Sequence, residues 1–391
     1  MIERATARRA VGDWAGACAA ANVDVDLSLR DVARGHGRPV ATRLRSDLRH
    51  LAPDLLRWHM PRIAPDGLLR PGLTITLARY DVAQRDGVRP LHLVVRTPPA
   101  WADAGQRISL AVWDGSRTGI GPSRHHPLPA AHPHPHPHRR FRLDLHRHLW
   151  DARRAGELRF RTGAVARWAD EAALLLRADG RPSSPVVVRL GTGHRLLFDP
   201  RSGTTAPARG DTSALPVLPD AATWSLPDLE LIRTDAIAAE QLHPLVAAAL
   251  VPGFTPTGPP AAPHAGHPRV VKCRGALHRI GLVDGTLAAL DHDPAEVRRE
   301  ELLAALSGTP LPCLKAIDEA HHRPDCLTGV RERLDHGDID GALAVVESLL
   351  GPQALLRAGP LRDALATAAR RRVTHGLYRA GLTDSGPSPT R

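Results

Sequence analysis

Apolar residues return at helical spacing twice near the start of the chain. Residues 3–21 place Val11, Trp14, Ala15 and Cys18 on one face, and Val40, Leu44, Leu48 and Leu51 repeat the pattern until Pro53 interrupts it. Two amphipathic helices are predicted. Between Arg70 and Asp114 the pattern changes to short β-rich runs, Leu73–Tyr80, Leu91–Arg96 and Arg107–Trp113, separated by Asp86-Gly87 and Pro98-Pro99. These runs predict an antiparallel meander.

From Gly119 to Arg140 the periodicity disappears, and the centre of the stretch reads His132-Pro133-His134-Pro135-His136-Pro137-His138. Prolines at that density stiffen a chain toward polyproline II, so 119–140 is predicted to be an exposed loop or linker. Order resumes at Phe141. Leu149–Leu176 reads mostly as helix, with Val165, Trp168 and Ala172 on one face, and Val186–Leu190 and His194–Phe198 flank Gly191-Thr192-Gly193 as a hairpin would. Residues 200–227 and 252–268 are rich in Pro, Gly, Ala and Thr and are predicted loops, with a partly helical segment over Asp228–Val251 between them.

The last third is patterned most clearly. Val270–Cys273 and Leu277–Val283 lead into Asp284-Gly285, the pair that favours a type I′ hairpin turn, and Thr286–Leu290 returns. Asp293-Pro294 supplies an N-cap and a first-turn proline for a helix through Leu306, and further helices are predicted near 312–321, 327–335, 338–350 and 360–380. The string from Leu334 to Leu343 around Gly337-Asp338 resembles one helical hairpin of a tetratricopeptide array; such arrays stack at least about three repeats, and no second copy is found here. The expectation is an α+β protein: N-terminal helices with an antiparallel β-meander (1–118), the Pro/His-rich linker (119–140), a mixed middle region (141–251), a Pro-rich linker (252–268), a C-terminal β-hairpin followed by a helical bundle (269–383) and a disordered tail (384–391).

Composition modifies this picture in two ways. With 391 residues, 42% of them hydrophobic, the chain can build two or three cores, but aromatics are only 3%, so Leu, Val and Ala must fill them around anchors such as Trp14, Trp58, Trp113, Trp150 and Trp168. The net charge is +11, yet lysine occurs only at Lys272 and Lys315 and all other basic residues are arginine. That bias fits a GC-rich bacterial genome, so basicity by itself is weak support for a nucleic-acid binder. The N-terminus lacks an uninterrupted apolar signal segment, and the longest apolar stretches fall short of the roughly 20 residues of a spanning helix. A cytoplasmic protein with no membrane partner is expected, its four cysteines, Cys18, Cys273, Cys313 and Cys326, kept as thiols.

Four constellations could carry chemistry. Asp144-Leu145-His146-Arg147-His148 resembles the Asp-x-His-x-His metal motif of amidohydrolase-type barrels. The resemblance spans seven residues, Leu143–Leu149, and implies that His146 and His148 ligate a divalent metal that activates water for hydrolysis. The chain downstream lacks the alternating strands and helices of such a barrel, and the plain alternative is an element boundary carrying two exposed histidines. Cys273, His278, His292, Cys313, His321, His322 and Cys326 form a second pool of soft and imidazole donors. Structural zinc sites usually take ligands in close pairs, and here only His322-x3-Cys326 comes near that form, so Cys273, Cys313, His322 and Cys326 are the candidate set and buried thiols with surface histidines the plain alternative. The His-Pro repeat would hold nickel or zinc ions loosely, since clustered imidazoles on an extended chain fix no coordination geometry.

Arginines form the fourth, clustering at Arg38, Arg43, Arg45 and Arg49, at Arg139, Arg140 and Arg142, and at Arg370, Arg371 and Arg372, where they could meet phosphates. Acidic residues are interspersed, so the plain reading is a solvated face. No Walker-type Gly-Lys-Ser, Gly-x-Ser-x-Gly elbow or His-Glu-x-x-His occurs, and no cofactor beyond zinc or another divalent metal is suggested. The function expected from the sequence is a non-catalytic interaction or adaptor module with a protein partner. The alternatives are a nucleic-acid-associated protein using its arginine faces and a metal-dependent hydrolase centred on His146 and His148.

Overall fold

The computed structural model describes residues 1–84, 87–115, 132, 134–161, 165–191, 193–224, 226–254, 269–273, 275–283, 286–307, 311–322, 327–350, 356 and 358–382. The fold is α+β. Two compact units divide the chain, one formed by 1–101, 107–259 and 378–391 and the other by 102–106 and 260–377.

The first unit opens with α1 (Ile2–Ala10), α2 (Trp14–Ala20), β1 (Val23–Asp26), α3 (Leu29–His36), α4 (Arg38–His50) and α5 (Pro53–Trp58). The single helix expected over 3–21 is therefore two. Gly12 takes a positive φ of 77°, and Asp13 then accepts the Gly16 N–H at 2.8 Å, so the chain stops one helix and caps the next within three residues. In α4 the apolar stripe packs as its spacing dictates, with Val40, Ala41, Leu44 and Leu48 buried.

The meander follows as β2 (Thr74–Gln84), β3 (Gly87–Arg96) and β4 (Ile108–Trp113), all antiparallel. The sheet order is β1-β4-β3-β2, because β1 pairs in parallel with β4, Val23 opposite Ile108. Leu44, Leu48, Leu55, Ile75, Leu77, Leu93, Leu110 and Trp150 form the heart of the largest core. The exposed edge of β2 is covered by the end of the His-Pro segment, where His138 donates its N–H to the Thr74 carbonyl at 2.7 Å and Thr76 bridges Arg142 in parallel. His132 is buried there, its ring nitrogens 2.8 Å and 2.9 Å from the carbonyls of Thr97 and His134. Covering an edge strand in this way satisfies backbone groups that would otherwise invite pairing with another chain.

The helix expected over Leu149–Leu176 is realised only as α6 (Trp168–Ala178), preceded by short 3₁₀ turns at Arg147–Leu149, Ala155–Arg159 and Val165–Arg167. Asp151 explains the departure: fully buried, it accepts the Arg153 N–H at 3.1 Å and pairs its backbone with Leu51, drawing the chain out of helical geometry. The predicted hairpin is observed as β5 (Val186–Leu190) and β6 (His194–Asp199), to which β7 (Thr204–Pro207) adds a third strand. Trp168, Ala172, Leu175 and Leu176 of α6 pack on Val186, Val188 and Phe198 of that sheet. Two short helices, α7 (Pro227–Arg233) and α8 (Pro244–Leu250), return to the main core.

The second unit carries β8 (Arg269–Cys273), β9 (Ala276–Val283) and β10 (Thr286–Ala289) in the order β10-β9-β8, then α9 (Pro294–Ser307), α10 (Pro312–His322), α11 (Leu327–Asp335), α12 (Ile339–Leu350) and all but the last two residues of α13 (Pro360–Arg379). Val330, Leu334, Ala342, Val346 and Leu361 form its helical core together with Ile280 of the sheet. No helix among the described residues is long and apolar enough to cross a membrane. The 384–391 tail and most of the two predicted linkers lie outside the described residues.

Candidate metal centre

The register of the C-terminal sheet places one set of side chains on its helix-facing side. Cys273 of β8 sits opposite Ala276 of β9, Val271 opposite His278, and Ile280 opposite both Arg269 and Ala289 of β10. Alternation along the strands therefore puts Val271, Cys273, His278, Ile280 and Ala289 on a common face. Burial agrees, with Cys273, Ile280 and Ala289 buried and Val270 and Leu277 of the opposite face exposed.

After β10 the chain turns, and Asp291 fixes the turn by accepting the Arg279 backbone N–H at 2.7 Å and its guanidinium Nη2 at 2.9 Å. The next residue is His292. Asp293 then accepts the Ala295 N–H at 2.9 Å, and Pro294 begins α9, as the Asp-Pro pair predicted. Pro312 likewise begins α10 and sets Cys313 in its first turn, where Cys313 is fully buried beside Cys273, Ala289 and Leu311. One strand end, one turn and one helix start thus converge.

The result is a Cys273, His292, Cys313 group whose donor atoms all lie within 4.8 Å of one another, and which could hold a metal ion. The two cysteines are free thiols. Burial and the adjoining Cys273 push the Cys313 thiol up from its ordinary value. His292 Nε2 is buried without a hydrogen-bond partner among the described residues, while its Nδ1 lies 3.9 Å from Glu296 Oε2. His278 stacks on His292 with centroids 4.1 Å apart, and its own Nδ1 is also buried and unpartnered. Buried polar nitrogens without partners are costly, and a metal ion held by the Cys273, His292, Cys313 group would satisfy the His292 nitrogen and both thiols. Of the candidate set Cys273, Cys313, His322 and Cys326, the two cysteines Cys273 and Cys313 meet here; the side chain of His322 on α10 and the whole of Cys326 lie outside the described residues.

The Asp-x-His-x-His element of the first unit has a different surrounding. His146 and His148 are each 1% exposed, so they are not the surface histidines of the plain alternative. His146 Nε2 lies 3.2 Å from Glu171 Oε2, Arg161 donates to both carboxylate oxygens of Glu171 and to the Leu145 carbonyl, and Asp144 is engaged by Arg142. Against the effect of burial, the hydrogen bonds of His146 and Arg161 hold Glu171 down at about 2. Burial, reinforced by the Arg161 charge, lowers His148 to about 2. The carboxylate nearest the histidine pair is thereby committed to an arginine.

Two further buried networks were not foreseen from sequence. His243 Nε2 meets Asp54 Oδ2 at 3.0 Å, Arg9 donates to Asp54 Oδ1 at 2.8 Å, and both the His243 and Asp54 side chains are completely buried. Nearby, Trp58 Nε1 donates to Asp228 Oδ2 at 3.0 Å. Burial pushes the Cys18 thiol up to about 12, opposite to the shift that activates a nucleophilic thiol.

The arginine clusters divide. Arg140 pairs with Asp220, Arg142 with Asp144 and Asp179, and Arg43 donates to the Asp81 carbonyl. Arg370, Arg371 and Arg372 are exposed on α13, where Arg371 pairs with Asp335 at 2.7 Å. Compared with known proteins, the chain matches no family model, no curated protein and no solved structure.

Proposed function

We propose that this chain is a non-catalytic interaction protein whose C-terminal unit is braced by a structural zinc ion. The observation that carries the zinc part of this reading is the convergence of the Cys273, His292 and Cys313 donors within 4.8 Å, and the interaction part is motivated by several small modules joined by Pro-rich segments. Two thiolates with imidazole are the donor set that favours tetrahedral zinc over harder cations, and burial leaves little room for an exchangeable substrate water. Cys273, His292 and Cys313 would fill three positions of the ion, and His278, stacked flat on His292, would support that ring rather than ligate. Zinc held in this way ties β8, the turn after β10 and the start of α10 together, which a unit poor in aromatic residues needs. This reading places the protein in a reducing, cytoplasmic compartment, where such thiols persist.

The interaction reading is tested by isolating the tagged chain from its native host after nuclease treatment and identifying what remains by mass spectrometry. A protein partner retained in stoichiometric amount by the parent, and lost from the Cys273→Ser, Cys313→Ser variant, is expected. Turnover of a small substrate by the purified chain with no retained partner would overturn it.

A further inference from the structure

A second site lies in the first unit and stands independently of the metal centre. The edge of the β2-β3-β4 sheet, the segment after the His-Pro repeat, the end of α6 and the loop at 213–217 enclose a cleft of about 550 Å³. That size falls in the range of small-molecule sites, roughly 300–1,000 Å³, and is short for an extended polypeptide.

Its aromatic wall is built by sheet register. His92 and Trp113 are cross-strand partners on β3 and β4, their rings 5.4 Å apart, and His136 meets Trp113 edge-on at 5.6 Å. Burial lowers His92 to about 4, so the ring is neutral, and its Nδ1 is buried with no hydrogen-bond partner among the described residues. His92 therefore contributes to the wall as an uncharged ring.

The cationic wall contains four guanidiniums of two kinds. Arg79 and Arg142 are braces: Arg79 pairs with Asp81, and Arg142 with Asp144 and Asp179. Arg139 and Arg181 meet no carboxylate among the described residues. Instead they are held by backbone carbonyls, Arg139 by Ser213 and Leu215 and Arg181 by Ala214 at 2.8 Å. Carbonyl anchoring fixes the direction of a guanidinium while leaving its full charge and its remaining N–H groups for an anion. Leu175, Pro216 and Val217 supply the apolar floor.

We propose that this cleft binds a mononucleotide, with the phosphate on Arg139 and Arg181 and the base against the Trp113, His92 and His136 wall. Fixed, uncompensated guanidiniums select a phosphate, and aromatic rings at the same cleft select a flat base over an aliphatic phosphate ester. The His-Pro segment thereby acquires a role, since its packing on β2 delivers both His136 and Arg139 to the site.

The test is calorimetric titration of the full chain with each of the four 5′-ribonucleoside monophosphates, and separately with inorganic phosphate and with the matching nucleosides. At least one nucleotide is expected to bind at least tenfold more tightly than phosphate or its own nucleoside. The Arg139→Gln, Arg181→Gln double variant is expected to lose at least tenfold of that affinity, and His136→Ala, at an exposed position, a smaller share. Because the arginines also hold the 213–215 loop, hydrogen exchange on the unaltered protein supplies a second readout. Bound nucleotide should protect backbone amides within 76–92, 136–142 and 213–217. No nucleotide binding, equal affinity for phosphate and nucleotide, affinity unchanged in the folded double variant, or protection confined to other segments would each overturn the assignment.

Discussion

His278 lies flat on His292, with ring centroids 4.1 Å apart and planes 12° from parallel, and each ring carries a buried nitrogen without a hydrogen-bond partner among the described residues. Two imidazoles presented together beside two thiols predict unequal roles in cobalt(II)-substituted protein. His292→Ala removes a ligand of the converged group and should abolish the intense visible bands of a tetrahedral dithiolate site. His278→Ala should keep the thiolate-to-cobalt bands, shift the visible envelope and weaken binding about 10–100-fold, the scale of a lost supporting partner. Identical spectra and affinities for His278→Ala and parent would remove His278 from the set.

The buried histidines of the first unit predict acid sensitivity. Burial lowers His59 to about 4 and His148 to about 2, below the unperturbed value near 6.5. The unfolded chain therefore takes up protons that the folded chain refuses once the pH falls below about 6.5. Stability should be complete above that pH and fall beneath it, these two histidines contributing up to roughly 2–3 kcal/mol per pH unit and His92, also lowered to about 4 by burial, adding to the slope. Glu171, held at about 2, adds a further loss that begins near pH 4.5 and continues downward. Urea denaturation from pH 8 to pH 4 checks this, and His148→Gln should flatten the upper part of the slope; a profile level between pH 6.5 and pH 5 contradicts it.

The buried pair of Asp54 with His243, joined by Arg9, predicts a large penalty for breaking one partner. Burial disfavours ionisation of Asp54, yet the hydrogen bond and charge of His243 and the charge of Arg9 hold its carboxyl below its usual value. Asp54→Ala leaves Arg9 and His243 without their counter-group and should cost about 3–5 kcal/mol of unfolding free energy. Chemical denaturation measures it, and a loss below 1 kcal/mol would show the network to be dispensable.

Trp150 is fully buried and its indole Nε1 donates to the Leu143 carbonyl at 3.0 Å. Trp150→Ala removes the largest anchor of the main core and should cost roughly 3–5 kcal/mol, read as a lower urea midpoint. A midpoint equal to that of the parent would contradict the placement of this residue at the centre of the core.

What was legible in the sequence was local. The α4 stripe, the β2-β3-β4 meander, the β5-β6 hairpin and the C-terminal strands all follow from periodicity and turn residues, and the structure reproduces them. What was not legible depends on distant partners. The break at Gly12-Asp13 lies inside an otherwise helical pattern, and the loss of helix after Leu149 follows from Asp151 bonding to Leu51, a hundred residues earlier. The parallel pairing of β1 with β4 has no local signal either. For the metal group, composition supplied the donor pool and strand register brought Cys273 to the right face. His292 was masked because ligands drawn from a strand end, a turn and a helix start share no close spacing.

The central claim is best tested by native mass spectrometry of the full chain, purified without chelator or affinity tag, beside the Cys273→Ser, Cys313→Ser variant. The variant retains the His-Pro repeat, so loosely held metal on that repeat is common to both samples. The account predicts one zinc per chain in the parent that survives dialysis against a weak chelator, and none in the variant. Equal metal content in the two proteins, or a parent free of zinc whose C-terminal unit melts at the same temperature with and without added zinc, would contradict it.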